Sequence, residues 1–219
     1  MTTHTRRPAL AVVLVAFVLV AAPVAQHTRL FRPEDLAELE PPDRAEWQRP
    51  DKIMDALGIG EASFVADLGA GSGWFTIQLA DRVGPNGLVL AEDIQRPMIQ
   101  AIKGRVDRLG LKNVTTVLGT STDPRLPVPV DAVLIVDAYH EMDQPVMLLR
   151  NVAASSLKPF GRIGIVDFTK DGGGPGPAME ERVDPEAVIR DAKAAGLVLR
   201  SRESFLKYQY MLVFEKPRP

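Results

Sequence analysis

Phe64-Val65-Ala66-Asp67-Leu68-Gly69-Ala70-Gly71-Ser72-Gly73-Trp74-Phe75 is the stretch from which the architecture of this chain can be read. Phe64 to Leu68 has the apolar run of a short buried strand, and Phe75, Ile77, Leu79, Ala80 and Val83 then fall near helical spacing. Between them, glycines permit positive φ and place no side chain over the turn, so a ligand can approach the backbone closely. The segment therefore reads as a cradle at the carboxyl end of a strand, with a plain glycine turn as the alternative. Related turns hold nucleotide triphosphates and dinucleotides. A phosphate loop would end in Gly-Lys-Ser or Gly-Lys-Thr, and no such ending is present. A dinucleotide fingerprint would place its glycines at 69, 71 and 74, but residue 74 is Trp, which obstructs close approach of helix and pyrophosphate. A carboxylate at Asp67 points the same way, because it repels a pyrophosphate and suits a cationic ligand.

Asp67-Leu68-Gly69-Ala70-Gly71-Ser72-Gly73 resembles the first motif of class I S-adenosylmethionine-dependent methyltransferases, and the resemblance runs from about Trp47 to the C-terminus. It implies an α/β fold, a Rossmann-like doubly wound sheet of seven strands in the order 3-2-1-4-5-7-6 with strand 7 antiparallel. The chain supplies strand candidates at Ser63 to Leu68, Leu88 to Asp93, Val114 to Leu118, Ala132 to Asp137, Arg162 to Phe168, Leu197 to Ser201 and Tyr208 to Phe214. Helical patterns are expected between the first five, clearest in Met98, Ile99, Ile102, Val106 and Leu109. Alternation of this kind gives a mostly parallel sheet covered on both faces. Too few residues separate the last two strands for a helical crossover, so a hairpin is expected there.

A second motif, Val89-Leu90-Ala91-Glu92-Asp93-Ile94, ends in an acid 20 residues after Gly73. By the resemblance, Asp93 accepts the ribose hydroxyls of S-adenosylmethionine; Glu92 is the weaker candidate, since strand alternation turns it to the other face. The same resemblance implies cofactor contacts from Asp67, Gly69, Gly71, Ser72, Gly73, Ile94 and Thr120. Many relatives carry an acid after the third strand that binds the adenine amino group. Here Thr120 stands where Gly-Asp is common, and Asp123 can equally be a turn residue before Pro124.

Val136-Asp137-Ala138-Tyr139-His140-Glu141-Met142 follows the fourth strand, where relatives hold the transferable methyl group. Asp137, Tyr139 and His140 are the candidate catalytic residues. In-line methyl transfer demands alignment, plus removal of a proton when the acceptor is a neutral hydroxyl or an acidic carbon. His140 is the candidate base because an imidazole with an ordinary pKa of ~6.5 exchanges protons near neutrality; the bland alternative is a hydrogen-bonding loop histidine. Upstream, Trp47 and Gln48 precede a helix expected from Asp51 to Leu57 and either form a lid or simply pack that segment down. The breaker-rich run from Asp171 to Pro177 either gates the acceptor site or is a slack connector.

With 219 residues, 46% of them hydrophobic, the chain can build one substantial core. A net charge of −2 and no run of basic residues with interleaved aromatics argue against nucleic acid as a partner. The absence of cysteine removes disulfides, thiolate metal sites and thiol nucleophiles, and disfavours arsenite, which related methyltransferases bind through cysteine. No metal is expected. Arg6-Arg7 precedes an uncharged stretch from Pro8 to Thr28 that resembles a secretory signal or an N-terminal anchor. These features divide the chain into a hydrophobic signal or anchor (1–29), a linker and possible lid (30–50) and a methyltransferase domain (51–219). They predict a cell-envelope protein, exported or anchored through residues 8–25, or a cytoplasmic one if the start site lies further downstream. The expected activity is methylation of a small-molecule or lipid-like acceptor, similar to that of the quinone-biosynthesis methyltransferases. The alternatives are a noncatalytic S-adenosylmethionine-binding protein and a nucleotide-dependent oxidoreductase on a similar sheet.

Overall fold

A computed structural model describes Met1, residues 30–171 and residues 173–218. The apolar stretch at 8–25 lies outside the described residues. Among the described residues, no helix is long and apolar enough to cross a membrane.

Seven strands form one sheet: β1 (Phe64–Leu68), β2 (Leu88–Asp93), β3 (Val114–Leu118), β4 (Val130–Val136), β5 (Leu157–Phe168), β6 (Val198–Glu203) and β7 (Gln209–Glu215). Their order is β3-β2-β1-β4-β5-β7-β6, with β7 antiparallel to both β5 and β6, as the resemblance implies. The central strands are buried on both faces, which is why they read as continuous apolar runs rather than as alternation. On one face, Leu68, Leu90, Ile135 and Ile165 pack against Leu148 and Leu149 of α5 (Pro145–Asn151) and Val188 and Ala192 of α6 (Pro185–Ala194). On the other, Val65, Val89, Leu134 and Val136 pack against Ile53 and Leu57 of α2 (Pro50–Leu57) and Phe75, Leu79 and Val83 of α3 (Trp74–Val83). The helix α4 (Arg96–Leu109) covers β2 and β3 through Met98, Ile102 and Val106 and stops at Gly110, which takes the left-handed conformation. Leu109, predicted in the buried stripe, is 55% exposed because it falls in the last turn beyond the sheet.

The connection between β3 and β4 also departs from expectation. No helix forms between β3 and β4; residues 119–129 run as a loop, because Pro124, Pro127 and Pro129 withhold the amides that a helix there would need. A second departure lengthens β5, whose first residues bulge out of the ladder before regular pairing resumes at Ala132 and Arg162. Before the sheet, residues Pro33–Leu39 form a 3-10 turn and α1 (Arg44–Gln48) a short helix, and both lie across the carboxyl ends of the strands.

Candidate active site

Chain winding reverses between β1 and β4, so the loops leaving their carboxyl ends diverge and open a crevice. The cleft measures about 1180 Å³. Its floor is made by Gly69 and Gly71 after β1, Glu92, Asp93 and Ile94 at the end of β2, Thr120 and Ser121 after β3, and Asp137 to Asp143 after β4. Segment 30–49 covers one side through Phe31, Leu39, Arg44 and Trp47, and Pro175 to Pro177 border the other.

The glycine turn is shaped by close approach. Gly69 has φ 70°, and a Cβ there would lie 2.7 Å from the Cβ of Ala138, so the loops after β1 and β4 are packed backbone against methyl. Gly71 has φ 54°, and its N–H donates to Asp93 Oδ2 at 3.1 Å, while Gln95 N–H donates to Oδ1 at 2.8 Å. Both amides fix the Asp93 carboxylate at the cleft floor and oppose the rise in its pKa that burial causes. Asp67, Ser72 and Gly73 lie behind this surface rather than on it. Asp67 accepts from Thr76 Oγ1 at 2.6 Å and holds α3 to the turn; burial pushes its carboxyl up to about 6 against the pull of Thr76 and Arg44. Ser72 Oγ accepts from the Trp74 amide at 3.3 Å, and Gly73 lets α4 approach, since a Cβ there would sit 3.3 Å from Ile102.

Thr120 lines the cleft, but its hydroxyl is engaged by a turn. Thr120 Oγ1 accepts from the Asp123 amide at 3.0 Å, and the Thr120 amide donates to the Asp123 carbonyl at 2.9 Å. Asp123 itself is exposed, with Oδ1 accepting from the Arg125 amide at 2.8 Å. Glu92, by contrast, is only 4% exposed, and its Oε1 has no hydrogen-bond partner. Burial first, then the Asp93 charge, push Glu92 up to about 8.

After β4 the chain turns through Asp137 in the left-handed region (φ 55°). Its carboxylate accepts from Gln48 Nε2 at 2.8 Å, Arg44 Nη2 at 3.1 Å and Gln209 Nε2. Gln48 also donates to Gln209 Oε1 at 3.2 Å, so α1, the β4 loop and β7 are joined through one buried polar cluster. Burial raises Asp137 to about 6, with Arg44 opposing. The Arg44 guanidinium stacks 4.5 Å from the Trp74 ring, and Trp47 packs against Phe168 and Tyr208. The Tyr139 hydroxyl donates to Asp191 Oδ2 of α6 at 2.9 Å, and burial raises its pKa beyond the physiological range. His140 has Nδ1 3.0 Å from both oxygens of the wholly buried Asp167 on β5, and its backbone amide donates to Asp167 Oδ2 at 3.0 Å. This fixes the proton on Nδ1 and leaves Nε2, 3.8 Å from Glu141 Oε1, with a free lone pair. Burial lowers the His140 pKa, and the Asp167 hydrogen bond and charge, with Glu141 and Asp137, outweigh it to give a net rise.

Sequence reasoning missed Arg44, Asp167, Gln209 and Arg182. Asp167 had a signal, an acid interrupting the apolar run from Ile163 to Phe168 as Asp67 interrupts the first strand. Arg182 had none: it is 5% exposed and donates to the carbonyls of Pro177, Thr169, Pro175 and Gly173, gathering the glycine-rich loop into a fixed wall.

Residues 65–161 match the family described as Methyltransferase domain. The crystal structure of a SAM-dependent methyltransferase from Aquifex aeolicus superposes with a TM-score of 0.78 at 29% identity, over 84% of this chain and 98% of that one. The chain carries a class I S-adenosylmethionine-dependent methyltransferase domain. Among curated relatives, the nocamycin O-methyltransferase of Saccharothrix syringae is 30% identical over 59% of this chain and 45% of its own length. The ubiquinone/menaquinone biosynthesis C-methyltransferase UbiE of Pasteurella multocida is 28% identical over 57% and 46%. This methyltransferase domain thus spans about half the length of the curated relatives it matches. S-adenosylmethionine is the cofactor of the class, and the cleft suits it. Gly71 bares its backbone to segment 30–49, where an added Cβ would meet Leu39 at 3.2 Å, and the floor carries carboxylates fit for a ribose and a cationic sulfur.

Proposed function

We propose that this domain methylates a small-molecule acceptor whose proton is taken by His140 as general base. The carrying observation is the His140–Asp167 pair, in which a buried carboxylate orients an imidazole on the cleft wall with Nε2 free. Bound S-adenosylmethionine supplies the electrophilic methyl group. Asp93 and the Gly69 to Gly71 backbone hold the nucleoside. The Arg44 guanidinium, stacked on Trp74 and held by Leu39, Gln48 and Asp137, is a cation on the cleft lining for the methionine carboxylate. His140 removes the acceptor proton at Nε2, and Asp167 stabilises the imidazolium that results. Phe31, Leu39 and Met142 on the lining exclude water from the reacting atoms.

A small acceptor is supported by the cleft itself and by the names of the O- and C-methyltransferase relatives. The apolar stretch 8–25 supports an envelope location, and Leu30, the first residue described after it, borders the cleft, which favours a lipid-like acceptor. Calorimetric titration with S-adenosylmethionine, S-adenosylhomocysteine and NADH tests the core of this reading. Micromolar binding of the first two, weakened about tenfold or more by Asp93→Ala through loss of charge-assisted hydrogen bonds, is expected. Binding of NADH alone would replace it with oxidoreductase chemistry. Membrane fractionation of the full chain against one lacking residues 1–29 tests the location, and identical soluble recovery would refute it.

A further inference from the structure

The adenine end of the cleft lacks its expected reader. Thr120, which stands where relatives carry an acid, spends its hydroxyl on the Asp123 turn, and Asp123 faces solvent. One strand over, Glu92 is buried at the end of β2, lines the same cleft and leaves Oε1 without any partner. A buried oxygen with no partner carries a free-energy cost that a fold keeps only where something else satisfies it. The loop above is shaped to admit that carboxyl: a Cβ on Gly119 would lie 1.8 Å from Glu92 Oε1, so only glycine leaves it room.

We propose that Glu92 reads the adenine of the cofactor, its unpartnered oxygen accepting a hydrogen bond from the 6-amino group in place of the acid missing at residue 120. The role goes with position. Asp93 points to the ribose side, tied by Gly71 and Gln95, and Glu92, the preceding residue, turns to the opposite face of β2, against Gly119. Burial first, then the carboxylates of Asp93 on the same strand, Asp67 on β1 and Asp123 on the loop, favour the neutral acid over the opposing pull of the Gly69 amide. A neutral carboxyl offers an O–H as well as a carbonyl, and so can pair with both the amino group and an adjacent ring nitrogen. Gln, with its carbonyl and NH₂, preserves that pattern; Leu removes it.

The inference rests on S-adenosylmethionine being the cofactor, and the test separates the two. Dissociation constants are measured by calorimetry for S-adenosylhomocysteine and for its analogue lacking the 6-amino group, with wild type, Glu92→Gln, Glu92→Leu and Gly119→Ala. In the wild type, loss of the amino group is expected to weaken binding about tenfold, the value of one hydrogen bond to a buried carboxyl. Glu92→Gln keeps most of that discrimination, while Glu92→Leu and Gly119→Ala, the latter by pushing the carboxyl aside, bring the ratio close to one. Gly119→Ala supplies the answer if Glu92→Leu does not fold. An undiminished ratio in whichever of these two folds overturns the role of Glu92 alone. Failure of the wild type to bind S-adenosylhomocysteine at all overturns the cofactor reading and this inference with it.

Discussion

Glu92→Gln makes a stability prediction that is independent of any ligand. In the folded chain the carboxyl is 4% exposed, and its pKa stands at about 8 against an ordinary 4.5, chiefly through burial and secondarily through Asp93. An acid whose folded pKa exceeds its unfolded pKa binds more protons when folded, so it costs stability as pH rises above the unfolded value. The loss is complete once the folded pKa is passed. At 1.36 kcal/mol per unit of pKa difference, the full interval amounts to about 5 kcal/mol above pH 8, and the part gained between pH 5 and pH 8 is about 3 kcal/mol. Gln has nearly the same shape and never ionises. Urea unfolding followed by circular dichroism should therefore show the variant gaining about 3 kcal/mol on the wild type between pH 5 and pH 8. A difference independent of pH, or one that shrinks with rising pH, would refute the burial argument, because it would mean that Glu92 is ionised and solvated in the folded chain.

Two other perturbations probe the reactive end. Asp167→Asn keeps the contact to His140 but removes the charge that raises its pKa, so kcat should fall by about 10²-fold or more and the rising limb of the pH–rate profile should move to lower pH; a limb that stays in place would take Asp167 out of the proton path. Arg182→Ala leaves four loop carbonyls without their shared donor. It should raise the KM for acceptor and open the 171–183 loop to limited proteolysis without changing cofactor affinity, whereas an equal loss of cofactor binding would mean the loop does not wall the acceptor side alone.

The sheet was legible because its strands carry the information locally. Asp67 to Gly73 contains an acid and alternating glycines at fixed offsets, and each central strand is an apolar run bounded by breakers. Strand order followed from the family resemblance, and the closing hairpin from the short link between the last two strands. What escaped was long-range. Nothing near Asp137 in the sequence indicates that its carboxylate meets Arg44, Gln48 and Gln209, residues separated from it by 72 to 93 positions. The prolines of 119–129 did carry a local signal, and the expectation of a helix there yielded to missing amide donors. Alternation sends Glu92 and Asp93 to opposite faces of β2, yet both line the cleft, since the strand ends inside it.

The strand ends share an electrostatic property that bears on turnover. Asp67, Glu92, Asp93 and Asp167 are buried, and Asp137 half-buried, at the carboxyl ends of β1, β2, β4 and β5, and desolvation holds Asp67 and Asp137 at about 6 and Glu92 at about 8. Arg44 is the cation set among them, joined by His140 when its imidazole is protonated. S-adenosylmethionine brings a sulfonium that S-adenosylhomocysteine lacks, and a positive charge placed near a carboxyl favours its ionised form. At pH 6, where Asp67 and Asp137 are about half protonated, binding of the methyl donor should release more protons than binding of the demethylated product. Calorimetry in two buffers of different ionisation enthalpy measures the difference directly. By linkage, affinity for the donor should then rise with pH through about 6 more steeply than affinity for the product, so that loss of the methyl group loosens the ligand. Equal proton release for the two would mean that the sulfonium lies beyond the reach of these carboxylates, and that the raised values at the strand ends reflect burial with no part in telling the charged ligand from the neutral one.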